Sequence, residues 1–474
     1  MKNFLTIICV LSSVSISHAV RAQNAEPSLH PDVKNIINVW IESQMDYEKI
    51  PFVSASYTRK QQTLWSGNYG KAAVGHEQPV TDQAISSICS SSKVFTATAI
   101  MKLVDEGKLS LDQKVKDLLP RFSIQGDDVD AITVRSLLTH TSGLPRDTKH
   151  SYWSGPNHDF PAEDDFYKSL TQQKMAHRFD TKVEYSNIGF ALLGQIIQIV
   201  SEKSYKDYME SEIFEPLGMT HSVVELPKNQ YGNEHVIGYS AINRDGKRQP
   251  ANFYQTRAMQ PAAGISSNGA DLAKYAKWHF REIDASTPEL MSSSSLMQMY
   301  QTDHSSVESN RGLGFIVNQD KQGDTWAMHG GMCPGYNSFL KLNLTKKEGF
   351  AFNTSANKVR AIAYINNLNK IIARGDEIDD TSIDGLNLSQ YEGFYDLNPF
   401  NSEYYIGKWG SGLVLLYLPA DTIDYAMYQY AHVDKDIFSL IQNGELTDEK
   451  IKFQRDKQGK VVAVMNDGGL HRKL

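Results

Sequence analysis

The spacing of apolar positions changes several times along the chain, and each change marks a different kind of element. From Asp32 to Asp46, the residues Val33, Ile36, Ile37, Trp40 and Ile41 recur at intervals of three and four, the period of a helix with one buried face. Phe52 to Tyr57 and Leu64 to Tyr69 are rich in aromatic and β-branched types and predict two strands of an antiparallel pair. From about residue 90 to 225 the pattern is mostly helical, with polar loops. Around 310 to 355 it is strand-like again, for example from Phe315 to Val317 and from Phe339 to Leu344, and a helical stretch runs from Asn357 to about Ala373. Strands at both ends of a long helical middle predict one α/β domain whose sheet is drawn from distant parts of the chain.

The pattern breaks near residue 375. RGDEIDDTSIDG is polar and acidic and predicts a linker over 376–386. Beyond it, hairpin signals recur: YYIGKW and LVLLYL flank Gly410-Ser411-Gly412, and KIKFQ and VVAVM flank Asp456-Lys457-Gln458-Gly459. Short strands separated by turns over 387–474 predict a small all-β domain, a sandwich or a barrel. At the other end, Lys2 precedes the apolar run Phe4 to Ile16, with small residues at Ala19 and Ala22 suited to cleavage. That layout predicts a signal peptide over 1–22, too short to span a membrane. The remaining domain then covers 23–375, and the mature protein is expected in the periplasm or secreted, with no membrane span.

Composition narrows the function classes without naming one. The 474 residues are 41% hydrophobic and 22% charged, as in globular proteins. A formal charge of −7, from 55 acidic and 48 basic residues, argues against a nucleic-acid binder. Without the signal, Cys89 and Cys333 remain; whether they pair is open.

Several motif classes are missing. The chain has no HExxH, no paired CxxC and no P-loop, so no metal or other cofactor is called for, and no GxSxG supports a nucleophile elbow. A different arrangement, S-x-x-K, puts a serine and a lysine one turn apart on one helical face. It occurs at Ser90–Lys93, Ser338–Lys341 and Ser355–Lys358. Ser338 lies within an expected strand, where positions i and i+3 point to opposite faces. Ser355 precedes a helix that closes the domain and has no downstream partners. Ser90 opens a helix that is apolar on two faces, Val94, Ala97, Met101 and Val104 on one and Phe95, Ala99 and Leu103 on another, with Gly107 as its stop. A lysine at the start of a buried helix needs a partner or a function, because burying an ammonium is costly. The helix start offers developing negative charge a favourable field, and the amine a route for the proton. Ser91 and Ser92 are expected to be neighbours that tolerate alanine far better than Ser90 does.

The phrase SSSKVFTATAIMKLVDEGKLSLD resembles the nucleophile helix of class C β-lactamase-like serine hydrolases, which include penicillin-binding peptidases and related esterases. The resemblance continues in family order through LLTHTSGLP, YSNIGFALLG, EPLGMTHS and HGGMCPGY, over roughly residues 30 to 370. Among 14 histidines only His329 has a glycine two positions on, and of the Y-x-N triplets only that at Tyr185 sits in the right phrase. The resemblance implies an antiparallel sheet with a large helical region, and a set of roles. Ser90 would form the acyl-enzyme. Tyr185 acting as a phenolate beside Lys93, or a neutral Lys93 itself, would be the base. Asn187 would hydrogen-bond the substrate, His329 to Gly331 would form a strand edge along the cleft, and the N–H groups of Ser90 and Met332 would hold the oxyanion. His140 is expected to be a structural loop residue, and Tyr152 and Trp153 to line the cleft or pack within their loop. The C-terminal domain resembles lipocalin-like appendages of some such hydrolases through LSQYEGFYD; it could shape access, drive association or only stabilise.

Two departures qualify the likeness. FDTKVEYSN lacks the Pro-Gly that precedes the tyrosine in many relatives. His329 stands where class C β-lactamases have lysine, and a histidine, mostly neutral at pH 7, is a weaker partner for a substrate carboxylate. The expected activity is acyl transfer from a small-molecule or peptide substrate, an amide, peptide or ester. A DD-carboxypeptidase or β-lactamase is the alternative, and a non-catalytic binder on the same fold a further one; oligomeric state is open.

Overall fold

Strands from the two ends of the first 375 residues meet in one sheet. The computed structural model describes residues 28–148, 152–153, 159–225, 228–381, 383, 385–396, 403–466 and 468–474; the expected signal peptide lies outside them. After helix α1 (Pro31–Glu48) come β1 (Phe52–Arg59) and β2 (Gln62–Gly70), which pair as a hairpin. The remaining strands are β3 (Ile316–Gln319), β4 (Thr325–Cys333), β5 (Tyr336–Asn343) and β6 (Glu348–Thr354). The order is β2-β1-β6-β5-β4-β3, every neighbour antiparallel, with Val53 opposite Thr354 and Tyr57 opposite Phe350.

The long helices of the middle are α2 (Ser92–Asp105), α3 (Asn187–Ser201) and α4 (Gly269–Ile283), and α5 (Ala361–Gly375) follows the sheet. Helices α1 and α5 cover one face, burying Trp40, Ile41, Tyr364 and Leu368 against it. Helix α4 crosses the other face and joins the larger core that holds α2 and α3. With helices on both faces, Phe52 to Thr58 are all buried, yet the strand still alternates. Val53, Ala55 and Tyr57 join the core beneath α1 and α5, while Ser54, Ser56 and Thr58 turn the other way, where Ser54 Oγ accepts the Gly269 N–H of α4 at 2.7 Å. Helix α5 starts later than the expected Asn357 because Lys358 holds φ at 61°, which a helix cannot incorporate.

Helix α2 is buried from Ser92 to Met101 without a break, as expected for a helix apolar on two faces, and Gly107, at φ 70°, follows its last turn. Ser90 itself sits just outside, in a 3-10 turn, Cys89–Ser91. Helix α3 passes so close to the segment after Met259 that a β-carbon on Gly194 would fall 1.9 Å from Pro261 Cγ. That approach sets Pro261 and Ala262 against α2, where Thr96 Oγ1 donates to the Pro261 carbonyl at 2.7 Å.

The C-terminal strands form an up-and-down sheet: β7 (Gly393–Tyr395), β8 (Tyr404–Trp409), β9 (Gly412–Tyr417), β10 (Met427–Asp434), β11 (Ile437–Gln442), β12 (Glu445–Arg455), β13 (Val461–Asn466) and β14 (Gly469–Arg472). A bridge between Tyr395 and Lys473 brings first and last strands together, so the sheet is nearly closed, a barrel rather than a sandwich. Alternation divides its residues: Tyr404, Ile406, Leu413 and Leu415 fill the interior, while Tyr405, Trp409, Val414 and Leu416 point out onto α1 and α5. The junction also has polar ties. Trp40 Nε1 donates to the Ala420 carbonyl at 3.1 Å, and the Gly410 N–H to Asp32 Oδ2 at 2.8 Å.

Candidate active site

Five serines occupy the stretch Ser86 to Ser92, and burial separates them. Ser86, Ser87, Ser91 and Ser92 are buried; Ser90 alone reaches the surface, at the floor of a cleft of about 660 Å³ shared with Arg146, Asp147, Trp153, Asn187 and Met332. The buried serines hold the turn in place. Ser92 Oγ accepts the Ile265 N–H at 3.0 Å, and Ser91 Oγ lies 2.8 Å from Ser338 Oγ, which itself donates to the Ile88 carbonyl at 2.6 Å. Alanine at Ser92 would orphan a buried N–H at a cost of about 1–3 kcal/mol, so it is less innocuous than a helix-start neighbour is expected to be. Ser338, set aside as a nucleophile for lying in a strand, does lie in β5, and it braces the turn that carries Ser90.

Lys93 is fully buried on the first turn of α2. Its Nζ donates to Asn187 Oδ1 and to the Ala262 carbonyl, both at 2.8 Å, and faces Ser90 Oγ at 3.4 Å. No carboxylate is paired with it among the described residues, and burial pushes its pKa below the ordinary lysine range, opposed in part by Tyr185. Asn187 is gripped at its other end: Nδ2 donates to Asp147 Oδ1 at 2.8 Å, and the same carboxylate accepts from Trp153 Nε1 at 2.8 Å and from the Tyr152 hydroxyl at 3.2 Å. Trp153 thus both lines the cleft and packs within its loop, and Tyr152 is buried behind it.

Tyr185 precedes α3, and its ring lies 4.8 Å from Lys93 Nζ and 4.9 Å from the Arg146 guanidinium. The backbone here is set by His140, at φ 62° and buried, whose Nδ1 accepts the Ser186 N–H at 3.1 Å. This ring is structural, as expected for its loop.

Strand β4 forms the opposite wall. Its partner β3 pairs only from Thr325 to Met328, so His329 to Cys333 leave that edge of β4 free on the side of the cleft. The edge runs tightly against the serine turn: a β-carbon on Gly331 would fall 2.2 Å from the Ile88 carbonyl oxygen and 2.9 Å from the Ser90 nitrogen. Met332 comes next and is 61% exposed at the mouth. His329 is buried beside Lys93; burial first, and the Lys93 charge second, push its pKa down to about 3. Its Nδ1 lies 2.8 Å from the Gly330 carbonyl, which can only accept, so Nδ1 carries the proton and the imidazole is neutral. Cys89 and Cys333 form a disulfide with Cα atoms 5.5 Å apart.

All the residues singled out by the motifs, Ser90, Lys93, Tyr185, Asn187, His329, Gly331 and Met332, border this cleft or its extension of about 500 Å³, which shares Ser90, Arg146 and Met332 with it, or contact a residue that does. Missing from them are Arg146, Asp147, Ala262 and Arg311. Arg146 and Asp147 directly follow LLTHTSGLP, a position that could have flagged them. Ala262 acts through its carbonyl and leaves no side-chain signature. Arg311 comes from a polar loop and lines the cleft with Ser90, Tyr185 and His329; no carboxylate is paired with it among the described residues. No residue of the C-terminal barrel lines this cleft among the described residues.

Comparison with known proteins agrees with this arrangement. The family model described as Beta-lactamase matches residues 37–369. Protein flp of Staphylococcus aureus (strain COL) is 26% identical over 351 residues, 71% of this chain and 66% of that protein, so the chain spans just under two thirds of its length. Penicillin-binding protein 4 of Amycolatopsis lactamdurans is 29% identical over 202 residues, 42% of this chain and 52% of that one. Among solved structures, the octameric penicillin-binding protein homologue from Pyrococcus abyssi superposes with a TM-score of 0.62 at 22% identity, over 93% of this chain and 100% of that chain. A class C beta-lactamase gives 0.60 at 23% identity, over 72% and 96%. With the family model covering most of its length and the motifs gathered at one cleft, the chain belongs to the beta-lactamase family.

Proposed function

We propose that the protein is an exported serine hydrolase that cleaves a small amide, peptide or ester through an acyl-enzyme on Ser90. The carrying observation is the setting of Lys93. A neutral amine has two N–H bonds and one lone pair; Asn187 Oδ1 and the Ala262 carbonyl take the two bonds, which leaves the lone pair for Ser90 Oγ. Desolvation favours that neutral form. In the proposed reaction Lys93 takes the Ser90 proton as Oγ bonds to the substrate carbonyl carbon. The N–H groups of Ser90 and Met332 hold the oxyanion, and Tyr185 protonates the leaving group as the carbonyl reforms. Water then hydrolyses the ester on Ser90, with the same groups run in reverse. His329, neutral and buried, shapes the strand edge and carries no charge to the substrate. Export rests on the Lys2 and Phe4–Ile16 pattern, and a small molecule or peptide is the expected substrate.

A second reading, a penicillin-binding carboxypeptidase or β-lactamase, is favoured by Arg311 and Arg146, two guanidinium groups that line the cleft where His329 supplies none. Labelling of the wild type and Ser90→Ala with a fluorophosphonate and a fluorescent penicillin tests both. Wild-type labelling that Ser90→Ala abolishes is expected; no label from either probe overturns the acyl-enzyme. Durable penicillin labelling points to the peptidase, rapid turnover to the β-lactamase, and fluorophosphonate alone to an esterase or amidase. The acylation rate should rise with pH around a midpoint below 10.5, the ordinary lysine value; a midpoint at that value removes Lys93 as the base.

A further inference from the structure

The Cys89–Cys333 disulfide joins two residues that each adjoin a donor in the proposed oxyanion site. Cys89 directly precedes Ser90, and Cys333 directly follows Met332. We infer that this bridge sets the distance and direction between the Ser90 and Met332 N–H groups, so that its loss lowers the rate of acylation rather than the affinity for substrate. The inference rests on the acyl-enzyme reading above.

Backbone conformation gives the bridge something to hold. Cys89 has φ at 50°, in the left-handed region, which a residue with a β-carbon keeps only when its surroundings hold it there. The peptide plane that follows Cys89 carries the Ser90 N–H, so any relaxation of Cys89 turns that donor. The other ties between turn and sheet flank this plane. Ser338 Oγ donates to the Ile88 carbonyl before it, and Ser91 Oγ to the His329 carbonyl after it, at 3.3 Å. On the far side, β4 has no strand partner beyond Met328, so the Met332 end of the edge is free on the side facing the cleft. Both cysteines are buried, and with Phe52, Val236 and Tyr336 they form a small core directly behind the turn. The bridge therefore spans the gap between a strained turn and a half-paired strand, where hydrogen bonds alone hold the flanks. A disulfide closing a loop between residues 244 apart also stabilises the fold, and that effect has to be separated from positioning.

Cys89→Ala, Cys89→Gly and Cys333→Ala separate them, each compared with the wild type for fluorophosphonate acylation rate, kcat and KM on a chromogenic ester, and Tm. The expected result is acylation and kcat at least tenfold lower in both alanine variants, with KM within about twofold. Cys89→Gly, which accepts the left-handed conformation without strain, should retain several-fold more activity than Cys89→Ala, although both lack the bridge. Wild-type rates in all three variants, with only Tm lowered, overturn the inference, as does a glycine variant no faster than the alanine. If the alanine variants do not fold, the comparison passes to wild-type protein reduced by a dithiol until two thiols more than in the unreduced protein titrate. There the reductant becomes a cyclic disulfide as the protein gains two thiols, and an unchanged acylation rate overturns the inference. A wild type that neither probe labels removes the acyl-enzyme reading; a labelled wild type with unaltered variants removes this inference alone.

Discussion

The His140 ring lies against Tyr185, with centroids 4.5 Å apart and planes 35° from parallel, while the same imidazole accepts the N–H of the next residue, Ser186. One buried side chain thus fixes both the ring and the backbone of the tyrosine that faces Lys93. Replacement by alanine removes the stack and orphans a buried N–H. His140→Ala should lower kcat by about tenfold or more, since small misplacements of catalytic groups are costly, with KM little changed. Stopped-flow acylation on protein of native circular dichroism checks this, and an unaltered kcat would show that Tyr185 is placed without it.

Gly331 touches the serine turn, and a methyl there would meet the Ile88 carbonyl, Ser338 Oγ and the Ser90 nitrogen. Two of these contacts are backbone, which cannot step aside without moving the nucleophile. Gly331→Ala should reduce acylation by about 10²-fold, the scale of losing one oxyanion donor. Gly330→Ala is the control, because its nearest neighbours are Phe339 side-chain atoms. Equal rates for the two variants would contradict the tight approach of β4.

Arg311 lines the cleft with no carboxylate paired to it among the described residues. If substrates carry a carboxylate, Arg311→Ala should raise KM for a carboxylate-bearing substrate about tenfold or more and leave a neutral ester unaffected, because a charge-assisted hydrogen bond is worth about 1.5–3 kcal/mol. Measuring both substrates on one preparation makes the ratio the readout. A parallel loss on both would mean that Arg311 supports the loop rather than the ligand.

Burial holds His235, His279 and His329 near pKa 3, and His140 well below its ordinary value. The unfolded chain therefore binds protons at higher pH than the folded one, so the contribution of these rings to stability is full above about 6.5 and falls as pH drops from 6.5 toward 3. Each imidazole contributes a slope of about 1.4 kcal/mol per pH unit. Urea unfolding should show ΔG declining already between pH 6.5 and 5, above the range where carboxylates titrate. A flat profile over that interval would mean that these rings are not buried in solution.

Much of the site was readable from the order of short phrases, because SSSK, YSN and HGG each carry side chains whose spacing is tied to one geometry. Ser90 could be chosen over Ser338 because positions i and i+3 of a strand point to opposite faces, and over Ser355 because no partner motifs follow it along the chain. The sheet too could be anticipated, since Val53, Ala55 and Tyr57 of β1 recur at the two-residue period of a strand. Other features depend on contacts between distant segments, which no local pattern records. The Ala262 carbonyl reaches Lys93 only because Gly194 lets α3 approach Pro261. Asp147 matters through Asn187, and the pairing of Cys89 with Cys333 required the fold of β4 onto the serine turn. The short sheet formed by Ser86–Ser87, Val223–Val224 and Ile265–Ser267 escaped notice because strands of two or three residues have no periodicity to detect.

Pairing the hairpin β1–β2 with β6 has a consequence for how the molecule comes into being. Val53, opposite Tyr69 in the hairpin, finds its second partner in Thr354, and Trp40 its acceptor in Ala420, 380 residues later. During synthesis from the N-terminus, α1 and the first hairpin must wait with apolar faces uncovered until nearly the whole chain has emerged. Such late closure makes folding slow and leaves exposed strand edges in the interim. The serine turn, with its half of the cleft, is made early, but the wall that completes it arrives with β4, so a truncated or still-growing chain carries the nucleophile without a working site.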